Sequence, residues 1–360
     1  MASRFFRCSS YSLRQFAFSG SDTFSKDLDV VLALIRIFSL VLYPLQFNPI
    51  YRQYLWGGRR FESAFGRMLP PGDRFAESWE LVDHGADQSV VAHGSLRGTT
   101  LHDLVLFHAQ ELLGIHASQS YFPILFKFLD AACTLSVQVH PDDARAARLS
   151  PPDLGKTEAW VVLETNPGSL IYAGLRDGVD REALSDSLRR GECEQVLHAI
   201  EPKIGDCIFI PAGTVHAIGE GLLVAEIQQA SDTTYRLHDW NRVGPDGKSR
   251  PLHIDSGIEA VTQFCPVHTT QGHTTADASV QRLVESDYFI LDTVRPAASW
   301  RVGGDHRCHF LVVLEGQCCF DPQWDIASMV RGDCILIPAC LDTQYLHCEN
   351  PTTLLRVMLP

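Results

Sequence analysis

The chain has 360 residues, 45% of them hydrophobic and 20% charged, which provides for a sizeable core and about two domains. A formal net charge of -13 argues against a nucleic-acid-binding surface, while leaving room for a local basic pocket that takes a small anion. The 11 cysteines show no C-x-x-C pair and no regular spacing, which argues against a disulfide framework or a cysteine zinc knuckle and for a reducing cytoplasm.

Residues 1–29 are rich in Ser, Phe and Arg, and 30–45 form an apolar run interrupted by Arg36 and ending near Pro44. That run is shorter than the ~20 residues a spanning helix needs. Asp22, Asp27 and Asp29 precede it and no small-residue cleavage site follows, so a signal peptide fits poorly. Residues 1–42 are expected to be a poorly ordered extension, with no membrane role.

From Tyr43 onward the chain reads as continuous globular sequence. ESWEL (77–81) has the pattern of a strand, 99–114 have helical periodicity with a glycine stop, and 179–200 read as a second amphipathic helix. TLSVQVH, EAWVVLE, SLIYAG, CIFIP and LLVAEIQ read as short strands. Thr, His, Gln and Gly crowd the segment after residue 262, which reads as a linker. The expected layout is a first unit over 43–262, a linker over 263–284 and a second unit over 285–360. YFILDTV, HFLVVLEG, GDCILIP and TLLRVML in the last unit read as strands, with no helix among them.

One stretch occurs nearly twice. GDCIFIPAGTVHAIG (205–219) returns as GDCILIPACLDTQY (332–345), placing Gly205 on Gly332, Pro211 on Pro338 and His216 on Thr343. EAWVVLE also matches HFLVVLE, which sets Glu158 opposite His309. Gly205, Pro211, Gly213 and His216 fit G-x5-P-x-G-x2-H, which resembles the second signature of the cupin superfamily of double-sheet jelly rolls. The expected fold is therefore mainly β: two cupin jelly-roll barrels, a bicupin, with a few helices inserted on the N-terminal half.

A metal site in such a barrel needs imidazoles and a carboxylate converging from several strands. Gln138 and His140 alternate in SVQVHP and so face one side of a strand; Glu158 opens another strand, and His216 sits on the duplicated turn. The second copy has His309 for Glu158 and Thr343 for His216, so it is expected to be metal-free.

The chain resembles the type I mannose-6-phosphate isomerases in their short bacterial form, from about Tyr43 to the C-terminus. The likeness rests on YPLQFNPIYRQYLWGG, ESWEL, LFKFLDAACTLSVQVHPDD, GKTEAW, PAGTVHAIG and QQASDTTYRLHDWNR, in that order. It departs at AACT (131–134) and at PACLD (338–342), away from the matched catalytic positions. The resemblance implies zinc-dependent interconversion of mannose 6-phosphate and fructose 6-phosphate in the cytoplasm. It implies one Zn²⁺ held by Gln138, His140, Glu158 and His216, with Gln138 the weakest ligand because an amide oxygen binds zinc poorly. It makes Arg236 the active-site arginine, places Lys127 and Ser136 near the sugar phosphate, and lines the pocket with Lys156.

The chemistry agrees with that assignment. Moving a carbonyl from C1 to C2 takes a proton from one carbon to its neighbour through an enediolate, whose negative oxygen needs fixed positive charge. Glu80, Lys156, His84 and a zinc-bound water are all open as the base, and Glu80 is grouped with the substrate-binding residues. Two other readings fit part of the pattern: a non-haem Fe(II) cupin oxygenase, and a non-catalytic sugar-phosphate binder. The expected partner is a small phosphosugar, with no nucleic acid, and the chain is expected to be a monomer or weak homodimer.

No motif of the resembling family lies before Tyr43, and unanchored termini are commonly dispensable. Deletion of residues 1–41 should therefore leave turnover and Tm nearly unchanged; a large loss of folded protein would show that the apolar run is part of the fold.

Overall fold

The computed structural model describes residues 42–244, 247–349 and 351–360. The extension expected over 1–42 lies outside the described residues except for Leu42, whose side chain is buried.

The chain is mainly β, and alternation along its strands explains how the sheets pair. In the N-terminal half an antiparallel six-stranded sheet runs Cys207–Ile210, Glu158–Thr165, Leu222–Gln229, Ile124–Ala131, Phe75–Leu81, Ile50–Gly58. A five-stranded sheet runs Leu197–Ile200, Ile171–Leu175, His216–Ile218, Val137–Val139, Tyr235–His238. Leu129, Trp160, Ile208 and Val224 from the first sheet meet Ile171, Ala173 and Ile218 from the second in one core. The opposite row of the five-stranded sheet, including Val137, Val139 and Leu237, is covered by Leu184, Leu188 and Ile258 of two helices, Arg181–Arg190 and Ile254–Ala260.

The C-terminal half repeats the plan. Its six-stranded sheet runs His273–Thr274, Val280–Glu285, Ile290–Val294, Thr353–Met358, His309–Glu315, Cys334–Ile337. Its four-stranded sheet runs Ser299–Val302, Gln344–Cys348, Gln317–Phe320, Met329–Val330. Leu311, Ile335 and Leu354 of one sheet pack with Trp300, Phe320 and Leu346 of the other. The sequence repeat extends to register: Glu158 faces Ile210 in the first half, as His309 faces Ile337 in the second.

Two local expectations change. The helix read over 179–200 spans only Arg181–Arg190, because Gly191 takes a left-handed conformation (φ 72°) and stops it. Its continuation folds as the turn Cys193–Gln195 and the edge strand Leu197–Ile200. The polar segment read as a linker over 263–284 is bonded along most of its length. Val267 N donates to Ala173 O and Thr270 N to Cys207 O, while His273–Thr274 and Val280–Glu285 belong to the second half's sheet. Its side chains are polar because it lies at sheet edges, and the backbone bonds themselves leave no mark on side-chain composition.

The helix Leu101–Leu113 starts where the Thr100 side chain accepts the Asp103 N–H. At its other end the carbonyls of Glu111 and Leu112 accept N–H bonds from Cys340 and Ala339, so the second half satisfies part of that terminus. Leu45 and Leu336 exchange two backbone hydrogen bonds of 2.8 Å, which ties the start of the described chain to the same half.

One glycine in the duplicated turn is conformationally required. Gly213 has φ +83°, its N–H donates to His140 O, and an added Cβ would stand 2.0 Å from Thr262 Oγ1. Gly213→Ala should destabilise by at least about 1–2 kcal/mol, seen as a lower urea midpoint at constant slope; an unchanged midpoint would mean the turn relaxes at no cost.

Candidate metal centre

His140 follows the strand Val137–Val139, Glu158 opens the strand Glu158–Thr165, and His216 opens the strand His216–Ile218. Three separate strands thus bring their ends to one place. One ligand-type atom from each of the three side chains lies within 4.8 Å of the others, and all three residues are buried. His216 Nε2 is 3.2 Å from Glu158 Oε1, and His140 Nε2 is 3.5 Å from Glu158 Oε2.

The backs of both rings are held by main chain. His140 Nδ1 is 3.0 Å from Thr233 O, and His216 Nδ1 is 2.9 Å from Thr214 O. A carbonyl only accepts, so each Nδ1 carries the hydrogen and each Nε2 presents a lone pair to the cluster. Burial, reinforced by Lys156, depresses both imidazoles, His140 far below its ordinary value and His216 to about 3, so both are neutral. His216 Nε2 and Glu158 Oε1 have no hydrogen-bond partner although both are buried. Two facing acceptors need a cation or a proton between them, and two neutral imidazoles with one carboxylate fit a borderline divalent ion.

His140 brings the cluster to the wall of a cleft of about 280 Å³, with Glu158 and His216 buried behind it. His140, Gln138, Ser136, Lys127, Lys156 and Arg236 all line it, so six of the residues singled out from the sequence lie around one cleft, while Glu158 and His216 are not in its lining. Register explains part of the arrangement: Gln138 is paired with His216 on one side and with Arg236 on the other, so the three span adjacent strands. Arg236 Nη1 donates to Pro251 O, while its buried Nε has no partner and remains an unused donor.

Glu80 and His84 are corrections. Phe75–Leu81 is buried on both faces, and its alternation turns Glu77 toward the cleft and Glu80 away. Glu80 instead accepts hydrogen bonds of 2.6 Å from Arg67 Nη1 and Ser78 Oγ, and Arg67 Nη2 continues to Gly332 O in the second half. His84 also lies outside the cleft lining and pairs with Asp153 at 3.1 Å.

Four charged residues of the cleft escape the sequence reading: Glu77, Glu226, Asp232 and Arg250. Glu226 had a usable signal, being the one charge in the strand LLVAEIQQ. It pairs in register with Lys127, itself flanked by apolar neighbours in ILFKFLDA, and with Trp160 on the other side. Lys127 Nζ is 3.1 Å from Glu226 and 3.4 Å from Glu77, and Trp160 Nε1 donates to Glu226 Oε2 at 3.0 Å. Burial would depress Lys127, but Glu226 and Glu77 outweigh it and raise its pKa. Burial likewise opposes ionisation of Glu226, yet Lys127 and Lys156 prevail and lower it. For Glu158 burial wins over the pull of Lys156 and raises the carboxyl. Lys156 Nζ contacts Glu158 Oε2, lies 3.2 Å from His140 Nε2 and 3.6 Å from Glu226.

These features define a class: mainly β proteins with a buried His–Glu–His group able to hold a metal ion beside a charged cleft. Residues 44–157 match the family described as phosphomannose isomerase type I, catalytic domain. Mannose-6-phosphate isomerase ManA of Bacillus subtilis is 35% identical over 297 residues, covering 82% of this chain and 93% of that protein. Mannose-6-phosphate isomerase of Streptococcus mutans is 34% identical over 301 residues, covering 82% and 92%. The crystal structure of a Bacillus subtilis mannose 6-phosphate isomerase superposes with TM-score 0.81 at 28% identity, covering 88% of this chain and 99% of that one. The chain belongs to the type I phosphomannose isomerase family.

The double pairing of Lys127 changes what its removal should do. Lys127→Met leaves Glu77 buried without its lysine and Glu226 with Lys156 alone at 3.6 Å, and removing one partner of a buried pair costs about 3–5 kcal/mol. Denaturant unfolding should show that loss directly; a weaker substrate affinity with unchanged stability would make Lys127 a simple phosphate contact.

Proposed function

We propose that this chain interconverts mannose 6-phosphate and fructose 6-phosphate, using one Zn²⁺ held by His140, Glu158 and His216 with Gln138 beside them. The observation that carries the reading is the buried His140–Glu158–His216 cluster, which reaches through His140 a cleft lined by Lys127, Lys156, Arg236 and Arg250. The carbonyl-held ring nitrogens and the orphaned Glu158 Oε1 and His216 Nε2 support metal binding there. When bound, zinc supplies Lewis-acid stabilisation of developing negative charge on the substrate.

The chain's own residues supply the rest. Arg236 offers an unpartnered Nε–H donor for the enediolate or the phosphate. Arg250 stands near the same end of the cleft, oriented by Asp239, which accepts its Nε and Nη2 at 2.8 and 2.6 Å. Ser136 contributes a hydroxyl to the cleft wall. With Glu80 and His84 outside the cleft, Lys156 is left as the proton-handling side chain, its Nζ set between His140, Glu158 and Glu226.

Around this site we place two cupin barrels, the catalytic one ahead of the polar segment at 263–284 and a metal-free one after it. The matching strand orders and the shared register of Glu158 and His309 support that reading. A soluble phosphosugar substrate and the scattered cysteines support a cytoplasmic enzyme, taken as a monomer or weak homodimer; among the described residues no helix is long and apolar enough to cross a membrane.

The deciding experiment is a coupled isomerase assay on purified protein with mannose 6-phosphate, before and after chelation and after zinc is restored. Turnover should vanish and return, with one zinc per chain by elemental analysis. His216→Ala should lose both metal and turnover. Tightly bound iron with oxygen uptake, or ligand binding without turnover, would each overturn the assignment.

Arg236→Ala should lower kcat about 10²–10³-fold with a much smaller rise in KM, the pattern for a donor that acts mainly in the transition state. Partial recovery by Arg236→Lys would assign the effect to charge, and none to the planar fork. Normal kcat at saturating substrate would move Arg236 to the phosphate site.

A further inference from the structure

Behind His140 lies a polar hub that the reaction does not touch. Asp153 Oδ1 faces His84 Nε2 at 3.1 Å and accepts the Leu154 N–H at 2.8 Å. Its Oδ2 accepts from Thr233 Oγ1 at 2.6 Å and from Ser231 Oγ at 3.0 Å. Four donors therefore converge on one carboxylate, whose pKa they hold well below the usual range against the opposing effect of burial. Thr233 is held a second time, through its N–H to Ser231 Oγ at 3.3 Å. Its carbonyl is the group that receives His140 Nδ1.

We propose that Asp153, braced by His84, is a positioning residue that sets the Thr233 carbonyl and thereby the tautomer and aim of His140. This rests on the reading of His140 as a metal ligand. A carbonyl can fix a ring only if the carbonyl itself is fixed, and Thr233 belongs to the segment 230–234, between the strands Leu222–Gln229 and Tyr235–His238. Past Ala230, whose N–H donates to Pro123 O, Asp153 ties the segment down through Ser231 and Thr233. It joins the segment to Leu154, four residues before Glu158, so the approaches to two of the three cluster side chains meet at one carboxylate. The hub also accounts for the histidine after ESWEL, which has no place in the cleft.

Full-length parent, Asp153→Asn, Asp153→Glu and Thr233→Val are compared by zinc competition against a chelator, by Tm without metal, and by ¹H–¹⁵N NMR of the His140 ring. Asp153→Asn and Thr233→Val should each weaken zinc binding about 10–100-fold, with partial recovery in Asp153→Glu. The His140 ring should be the Nδ1–H form in the parent and a mixture in the two weakened variants. Zinc affinity within threefold of the parent in either folded variant, or an unchanged tautomer, overturns the proposal even if Tm falls. Should Asp153→Asn fail to fold, Thr233→Val decides alone, since it keeps the carbonyl and removes one hydrogen bond. A parent that holds the Nδ1–H tautomer but binds no divalent ion overturns the metal reading instead.

Discussion

Five charged side chains, Glu77, Lys127, Lys156, Glu158 and Glu226, are buried together on the inner side of one sheet, and the site depends on their matching. An isolated charge in such a place would neutralise or unfold its surroundings. Here each lysine is shared between carboxylates, and the tryptophans beside them donate indole N–H bonds to Glu77 and Glu226. Three carboxylates against two ammonium groups leave one negative charge when all are ionised. A divalent cation would turn that local sum positive, which suits an anionic substrate. The same burial keeps His140 and His216 neutral, the form in which a ring nitrogen can ligate.

Matching of this kind requires geometry that does not drift, and the sheets provide it. Lys127 and Glu226 face each other by register, as do Glu226 and Trp160, so their contact follows from hydrogen bonding of the strands. A slip of one residue would turn each of them to the opposite face. Farther out, Asp143 accepts the Gly155 N–H, the Gln229 amide and the Tyr288 hydroxyl, joining the loop before Lys156 to the second half. Arg67 joins the halves again by reaching from Glu80 to Gly332. The second half thus buttresses the half that holds the His–Glu–His cluster. Its own His309 is turned to Asp305 at 2.9 Å.

Much of the site was legible before folding because its chemistry needs uncommon residues in a marked context. His216 sits in a glycine-proline turn, His140 and Gln138 alternate in SVQVHP, and Glu158 starts another strand; each signal is local in sequence. The strands were legible for the same reason, since alternation and Gly/Pro punctuation are local. The errors have a common cause as well. ESWEL offers two glutamates three positions apart, and so on opposite faces, in a strand buried on both faces. Composition there cannot say which face is the cleft.

By itself the sequence determined the mainly β character, the internal repeat and the side chains able to hold a metal, because these follow from period, spacing and donor type. Only the tertiary structure decided that Glu77 faces the cleft while Glu80 and His84 do not. It also decided that Lys127 is bound between two glutamates and that Asp153 stands behind His140. Those outcomes depend on partners tens of residues away, brought together by strand register and sheet stacking. The free energy of a buried charge is set by such neighbours, and no local window contains them.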